Sequence, residues 1–123
     1  MMKKIALILS GLIVLAAIPM LARAADEAKA LTGEPIDITC YMMGKSGEGH
    51  AGCASACVTK KGLPAGLLVK EGDKAQVYLV LGDSKKVGEM LGPLMGKQAK
   101  VTGKVGSKDG IMTIEATAAE AAK

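Results

Sequence analysis

Apolar and polar residues alternate along much of the chain after residue 33, which is the pattern of strands with one buried face. The clearest example is 97–105, where Ala99, Val101 and Val105 fall on one side and lysines on the other. The pattern predicts five strands, at residues 33–43, 67–70, 75–81, 97–105 and 111–116. In the first of these, Ile36, Cys40 and Met42 would share the apolar face.

Two segments have helical signals instead. Residues 48–61 end on Lys60 and Lys61, followed by Gly62 and Pro64, which are typical signals for the end of a helix. A second helix would follow Asp83, a good N-cap residue. The two helices fall between strands 1 and 2 and between strands 3 and 4.

This order of elements predicts a mainly β protein. Five strands with a helix between the third and fourth match a small five-stranded OB-like barrel, here with a short Cys/His helix inserted between strands 1 and 2. A different small β-barrel or a sandwich with the same number of strands is the alternative.

The N-terminus has the features of an export signal. Lys3 and Lys4 precede an apolar run at 5–20, and Ala22-Arg23-Ala24 fits the small-x-small pattern before a cleavage site. We therefore predict a signal peptide at 1–24, a flexible leader at 25–32, the barrel domain at 33–117 and a tail at 118–123. The protein would be periplasmic or secreted, with no membrane span after cleavage; an uncleaved anchor is the alternative.

Composition narrows the possible partners. The net charge of +4 comes largely from the predicted signal, because its removal leaves 13 basic residues against 12 acidic ones. The chain has no Phe or Trp, so it lacks most of the aromatic surface on which bases or sugars stack. We therefore do not expect nucleic acid as a partner.

The candidate chemistry is concentrated between residues 39 and 64. This stretch holds all three cysteines and the single histidine, in the spacing Cys40-x12-Cys53-x3-Cys57 with His50 three residues before Cys53. On a continuous helix His50, Cys53 and Cys57 would form one stripe, since each residue turns by about 100°. With Cys40 they would make a Cys3His set suited to zinc.

Copper is the other candidate metal. Soft thiolate and thioether donors suit Cu(I), and Met42 or Met43 could replace one of the four ligands. The metal hypothesis predicts an accessory, sensing or carrier protein more naturally than an enzyme. A hydrolase is improbable because the single histidine already belongs to this cluster, and haem attachment lacks its C-x-x-C-H motif.

Two other functions fit the same residues. Cys40 could form a disulfide with Cys53 or Cys57. This bond would link the helix to the first strand and stabilise the folded state by about 3 kcal/mol. The chain would then be an interaction module for an envelope protein. The remaining thiol, near His50, would be a candidate for thiol–disulfide redox chemistry, although no C-x-x-C motif is present.

The chain also resembles a group of small exported bacterial proteins of unknown function. The resemblance rests on the pattern C-Y…G-H-x2-C-x3-C…G-L-P, beginning at Cys40-Tyr41 and ending at Gly62-Leu63-Pro64, and on Val101-Thr102-Gly103-Lys104-Val105. It implies an OB-like scaffold for nearly the whole mature chain. It also implies that Cys40, His50, Cys53 and Cys57 belong to one motif, without supplying a ligand or an activity.

Overall fold

A computed structural model describes residues 27–123. The predicted signal peptide and the first two residues of the predicted leader lie outside these residues. The elements in chain order are β1 (Ala28–Asp37), α1 (Ile38–Met42), a 3-10 turn (Glu48–His50), α2 (Ala51–Lys60), β2 (Ala65–Glu71), β3 (Lys74–Leu81), α3 (Ser84–Leu91), a second 3-10 turn (Gly92–Leu94), β4 (Ala99–Lys108) and β5 (Ile111–Ala121).

The five strands form one sheet that closes into a ring. Its order is β1-β2-β3-β5-β4, with β4 pairing back onto β1. All neighbours are antiparallel except β3 and β5, which run parallel. The prediction of a mainly β protein with five strands is confirmed, as are helices between β1 and β2 and between β3 and β4.

Strand β1 closes the ring because it pairs with two different strands along its length. Its first part, from Ala28, pairs with β4, and its last four residues, ending at Asp37, pair with β2. Gly33 lies where the partner changes. A Cβ there would clash with the carbonyl oxygen of Leu68, so only glycine permits this approach.

The prediction that the first strand continues to Met43 is wrong. The strand ends at Asp37, and the next five residues form α1. The Asp37 side chain accepts hydrogen bonds from the backbone N–H groups of Thr39 (2.9 Å) and Cys40 (3.5 Å), which is N-cap geometry. Cys40 therefore lies on a helix and not on the face of a strand.

The strands also extend beyond the predicted domain limits. Residues 28–32, predicted as part of a flexible leader, belong to β1 and pair with β4. Residues 118–121, predicted as part of a tail, belong to β5. Both extensions close the ring through β4, so the folded unit begins at or before Ala28.

The core is aliphatic and is shared by the ring and the helices. Its most buried side chains come from β2, α3, the residue after the second 3-10 turn, β4 and β5: Leu67, Leu91, Met95, Val101 and Ile114, each at most 1% exposed. Helix α2 contributes Val58 and packs against α3. Within residues 27–123, no helix has the length and apolar character needed to cross a membrane.

Candidate metal centre

Three thiols from two helices meet beside the end of β1. The sulfur atoms of Cys40, on α1, and of Cys53 and Cys57, on α2, all lie within 4.8 Å of one another. Three sulfurs bound to one zinc ion at about 2.3 Å in tetrahedral geometry lie about 3.8 Å apart. The cysteine triad is therefore close enough to bind a metal with small side-chain adjustments.

Backbone hydrogen bonds fix both helices relative to the sheet. The N–H of Ile38, the first residue of α1, donates to the carbonyl of Pro64 at 3.2 Å, just before β2. Helix α2 ends at Lys60, and Gly62 adopts a left-handed φ of 65°. The Leu63 N–H then donates to the Cys57 carbonyl at 3.1 Å. The predicted end of the cysteine helix is confirmed.

The triad is buried on one side and open on the other. Cys40 and Cys57 are only 9% and 8% exposed, whereas Cys53 is exposed. All three are free thiols in the structure. A metal held here would therefore be anchored by two interior sulfurs and reachable from solvent through the third.

The surroundings keep the buried thiols protonated. The nearby Asp37 carboxylate, acting as a hydrogen-bond acceptor, and then burial raise the pKa of Cys40 to about 11. Burial, with a hydrogen bond to Cys53, also raises the pKa of Cys57, and the nearby Lys61 ammonium acts in the opposite direction. A metal binding here must displace these protons, so its affinity should increase with pH.

His50 does not belong to the group formed by the three sulfurs. It ends the 3-10 turn and precedes α2. Its Nε2 is buried, and the residue lines a small cavity together with Glu34 and Pro35. A 3-10 turn advances about 120° per residue and not about 100°. The stripe expected from a continuous helix therefore does not extend back to His50.

The two methionines lie at the end of α1 and face solvent. Met42 is 76% exposed and Met43 is 64% exposed, which is unusual for large apolar side chains. Sequence reasoning missed Asp37, which contacts Cys40 and caps its helix. The available signal was an aspartate directly before a short segment that includes a candidate ligand.

Comparisons with known proteins do not identify a family. No family model matches this chain, and no curated protein or solved structure matches it either. The predicted group of exported proteins therefore remains a resemblance of motif. The evidence for a metal-binding function is therefore the geometry of the cysteine triad.

Proposed function

We propose that this is an exported accessory or carrier protein that binds one zinc or copper ion through Cys40, Cys53 and Cys57. The observation that carries the proposal is the convergence of three sulfurs, from two helices, within 4.8 Å. Thiolate-only donor sets favour soft or borderline ions, chiefly Cu(I) and zinc. His50 is left out of the proposed ligand set because it lies outside the sulfur group.

A three-sulfur set fits a carrier better than a structural site. Structural zinc sites have four protein ligands, whereas three leave a position that an exchanging ligand can occupy. Cys53 is exposed, so that position is accessible to solvent or to a partner. We propose Met42 or Met43 as the thioether that completes the set when the ion is Cu(I).

We also propose that the ring is an OB-like barrel and that the chain works in the periplasm or outside the cell. The order β1-β2-β3-β5-β4, the parallel β3–β5 pair and the helix between β3 and β4 support the fold class. The basic and apolar pattern of residues 1–24 supports export. The partner we expect is an envelope protein that donates or accepts the ion.

The test is a metal analysis and a thiol count on one sample. The protein is purified from the oxidising compartment, and bound metal and alkylatable thiols are measured before and after chelation. We expect about one equivalent of metal and three thiols that become reactive when the metal is removed. Cys53→Ser should weaken binding at least tenfold, whereas Ser55→Ala, two residues along the same helix, should leave it unchanged.

A thiol–disulfide function is the second candidate, because the same geometry favours it. Two sulfurs this close can join by losing two protons and passing two electrons to an external oxidant. A Cys40–Cys53 or Cys40–Cys57 bond would link α1 to α2, as a staple or as a redox couple. Finding no metal and one free thiol would exclude the metal proposal and support this one.

A further inference from the structure

Asp37 also belongs to a second cluster of polar groups. Three buried side-chain atoms have no hydrogen-bond partner among the described residues: Glu34 Oε2, Asp37 Oδ2 and His50 Nε2. All three residues line the same small cavity. Buried polar groups in proteins are nearly always hydrogen-bonded. Three unpartnered atoms in residues around one cavity therefore indicate that the cavity binds a ligand.

The cavity is narrow, and tightly packed backbone forms one of its walls. Its volume is about 10 Å³, the lower limit for holding a single water molecule. The Gly96 N–H donates to the Pro35 carbonyl at 3.1 Å. A Cβ on Gly96 would lie 2.5 Å from the Gly47 carbonyl oxygen, so the 44–49 loop and Gly96 pack without room for a side chain.

The donor and acceptor properties of the three groups match one water. Its two O–H groups can donate to the two carboxylate oxygens, and its oxygen can accept from the Nε2–H of His50. A metal fits less well. Its ligands, at about 2.0–2.2 Å, would have to lie within about 4.4 Å of one another, and these three residues do not form a group within 4.8 Å. Lys45 also lines the cavity, and its positive charge disfavours a cation there.

We propose that this cavity binds one buried water, held by Glu34, Asp37 and His50, and that the water fixes the orientation of the Asp37 carboxylate. Asp37 is only 1% exposed and has two separate tasks. Its Oδ1 accepts from the N–H groups of Thr39 and Cys40, and its Oδ2 is buried without a partner in a residue that lines the cavity. His50 is thus a positioning residue that acts on Cys40 through the water and Asp37.

This assignment gives the histidine a role different from that of a ligand. The water site does not require a bound metal. Only the statement that His50 helps to place a metal-binding thiol rests on the proposed function. The tests therefore use the metal-free, reduced protein. A failure of metal binding then leaves the result on the water unaffected.

The first test is a crystal structure of the metal-free protein at a resolution that shows ordered solvent. We expect one solvent peak within about 3 Å of Glu34 Oε2, Asp37 Oδ2 and His50 Nε2. The proposal is overturned if the cavity is empty, if the three atoms bond directly to one another, or if the peak has anomalous scattering and metal-like distances.

The second test is amide hydrogen exchange at Thr39 and Cys40, whose N–H groups depend on Asp37. His50→Ala should speed exchange at both amides by about fivefold, the effect of one weakened hydrogen-bond arrangement. His50→Gln, which keeps a donor, should restore most of the protection. Glu48→Ala, on the same turn but exposed and outside the cavity, is the matched control and should change neither amide.

Core amides separate a local effect from general destabilisation. Val101 and Ile114, both fully buried in the ring, should exchange at the wild-type rate in His50→Ala. Unchanged exchange at Thr39 and Cys40, or an equal increase at the core amides, would contradict the positioning role. The crystal structure of the wild type still decides the water site if His50→Ala does not fold.

Discussion

The two helical connections of the ring begin alike and differ in chemistry. The β1–β2 connection starts with Asp37 capping α1, and the β3–β4 connection starts with Asp83 capping α3. Asp37 is buried and contacts a thiol, whereas Asp83 is exposed and accepts only from the Lys86 N–H. The same capping residue serves a candidate site in one connection and simple helix formation in the other.

The side chains that the two connections bury differ in the same way. The β3–β4 connection supplies Val87, Leu91 and Met95 to the core. The β1–β2 connection supplies fewer apolar side chains and instead buries two thiols, a carboxylate and an imidazole nitrogen. The comparison indicates that α3 contributes mainly apolar packing, whereas α1 and α2 carry the candidate site as well. Substitutions in the two connections should therefore affect different measurements.

The largest effect on stability is expected from Leu91→Ala. Leu91 is fully buried between the ring and α2, so the cavity should lower the free energy of unfolding by about 2–5 kcal/mol. Denaturant unfolding measures this, and Met90→Ala, at a partly buried neighbour, should cost less. The metal content of the folded fraction should not change. A folded Leu91→Ala protein that no longer binds metal would contradict the separation of the two connections.

A smaller loss of stability is expected from a substitution where the two connections pack against each other. A Cβ on Gly88, in α3, would lie 3.1 Å from the Val58 carbonyl oxygen and the Thr59 Cα. Gly88→Ala should therefore cost about 1–3 kcal/mol through overpacking, partly offset by up to about 1 kcal/mol because alanine favours a helix, which leaves a net loss of stability. Gly52→Ala, in α2, has nothing within 4 Å and should stabilise by up to about 1 kcal/mol. Equal effects at the two glycines would show that α2 and α3 do not pack this closely.

Replacing each capping aspartate by asparagine, which still caps a helix, should change the reactivity of Cys40 at one cap and not at the other. In Asp37→Asn the negative acceptor of the Cys40 thiol is lost, so the pKa of Cys40 should fall from about 11 toward its ordinary 9.0. Alkylation of Cys40 at pH 8 should become faster, by up to about tenfold, because the thiolate fraction rises while a less basic thiolate is a weaker nucleophile. Asp83→Asn should leave the rate unchanged. An equal rate in all three proteins would mean that Asp37 does not control this thiol.

The smallest effect should be a pH dependence of stability in the metal-free, reduced protein. Because folding raises the pKa of Cys40 from 9.0 to about 11, the folded state holds its proton more tightly. This contribution is fully present below about pH 9 and is lost as the pH rises toward 11. Unfolding curves at pH 8 to 11 should therefore show a steeper loss for wild type than for Cys40→Ser, which cannot titrate there. Parallel losses would contradict the pKa shift.

Local signals in the sequence were reliable where the structure depends on neighbouring residues. The end of α2 at Lys60 follows from Gly62, which adopts the left-handed φ that glycine tolerates. The cap of α3 follows from Asp83 in the same way. The inward face of β4 follows from alternation, since Ala99 and Val101 are fully buried. In β3 alternation predicts one shared face for Ala75, Val77, Leu79 and Leu81, and this is wrong, because Val80 is buried and Leu81 is exposed.

Local signals failed where two interpretations fit the same residues. Ile38, Cys40 and Met42 alternate as in a strand, yet the Asp37 cap and the end of pairing with β2 turn this segment into α1. The spacing of His50 fits a helical stripe with Cys53 and Cys57, but His50 lies in a 3-10 turn and lines a cavity away from the sulfurs. In both cases one hydrogen-bonded turn changed the backbone geometry that the periodic pattern assumed.

The sequence by itself determined that the protein is mainly β, that helices interrupt the strands in two places, and that the three thiols belong to one short region. The tertiary structure decided which polar groups meet: the three sulfurs in one group, and Glu34, Asp37 and His50 around one cavity. The physical reason is range. Periodicity and capping depend on residues a few positions apart, whereas the pairing of β1 with β2 and β4, which places Glu34 and Asp37, depends on contacts between distant parts of the chain.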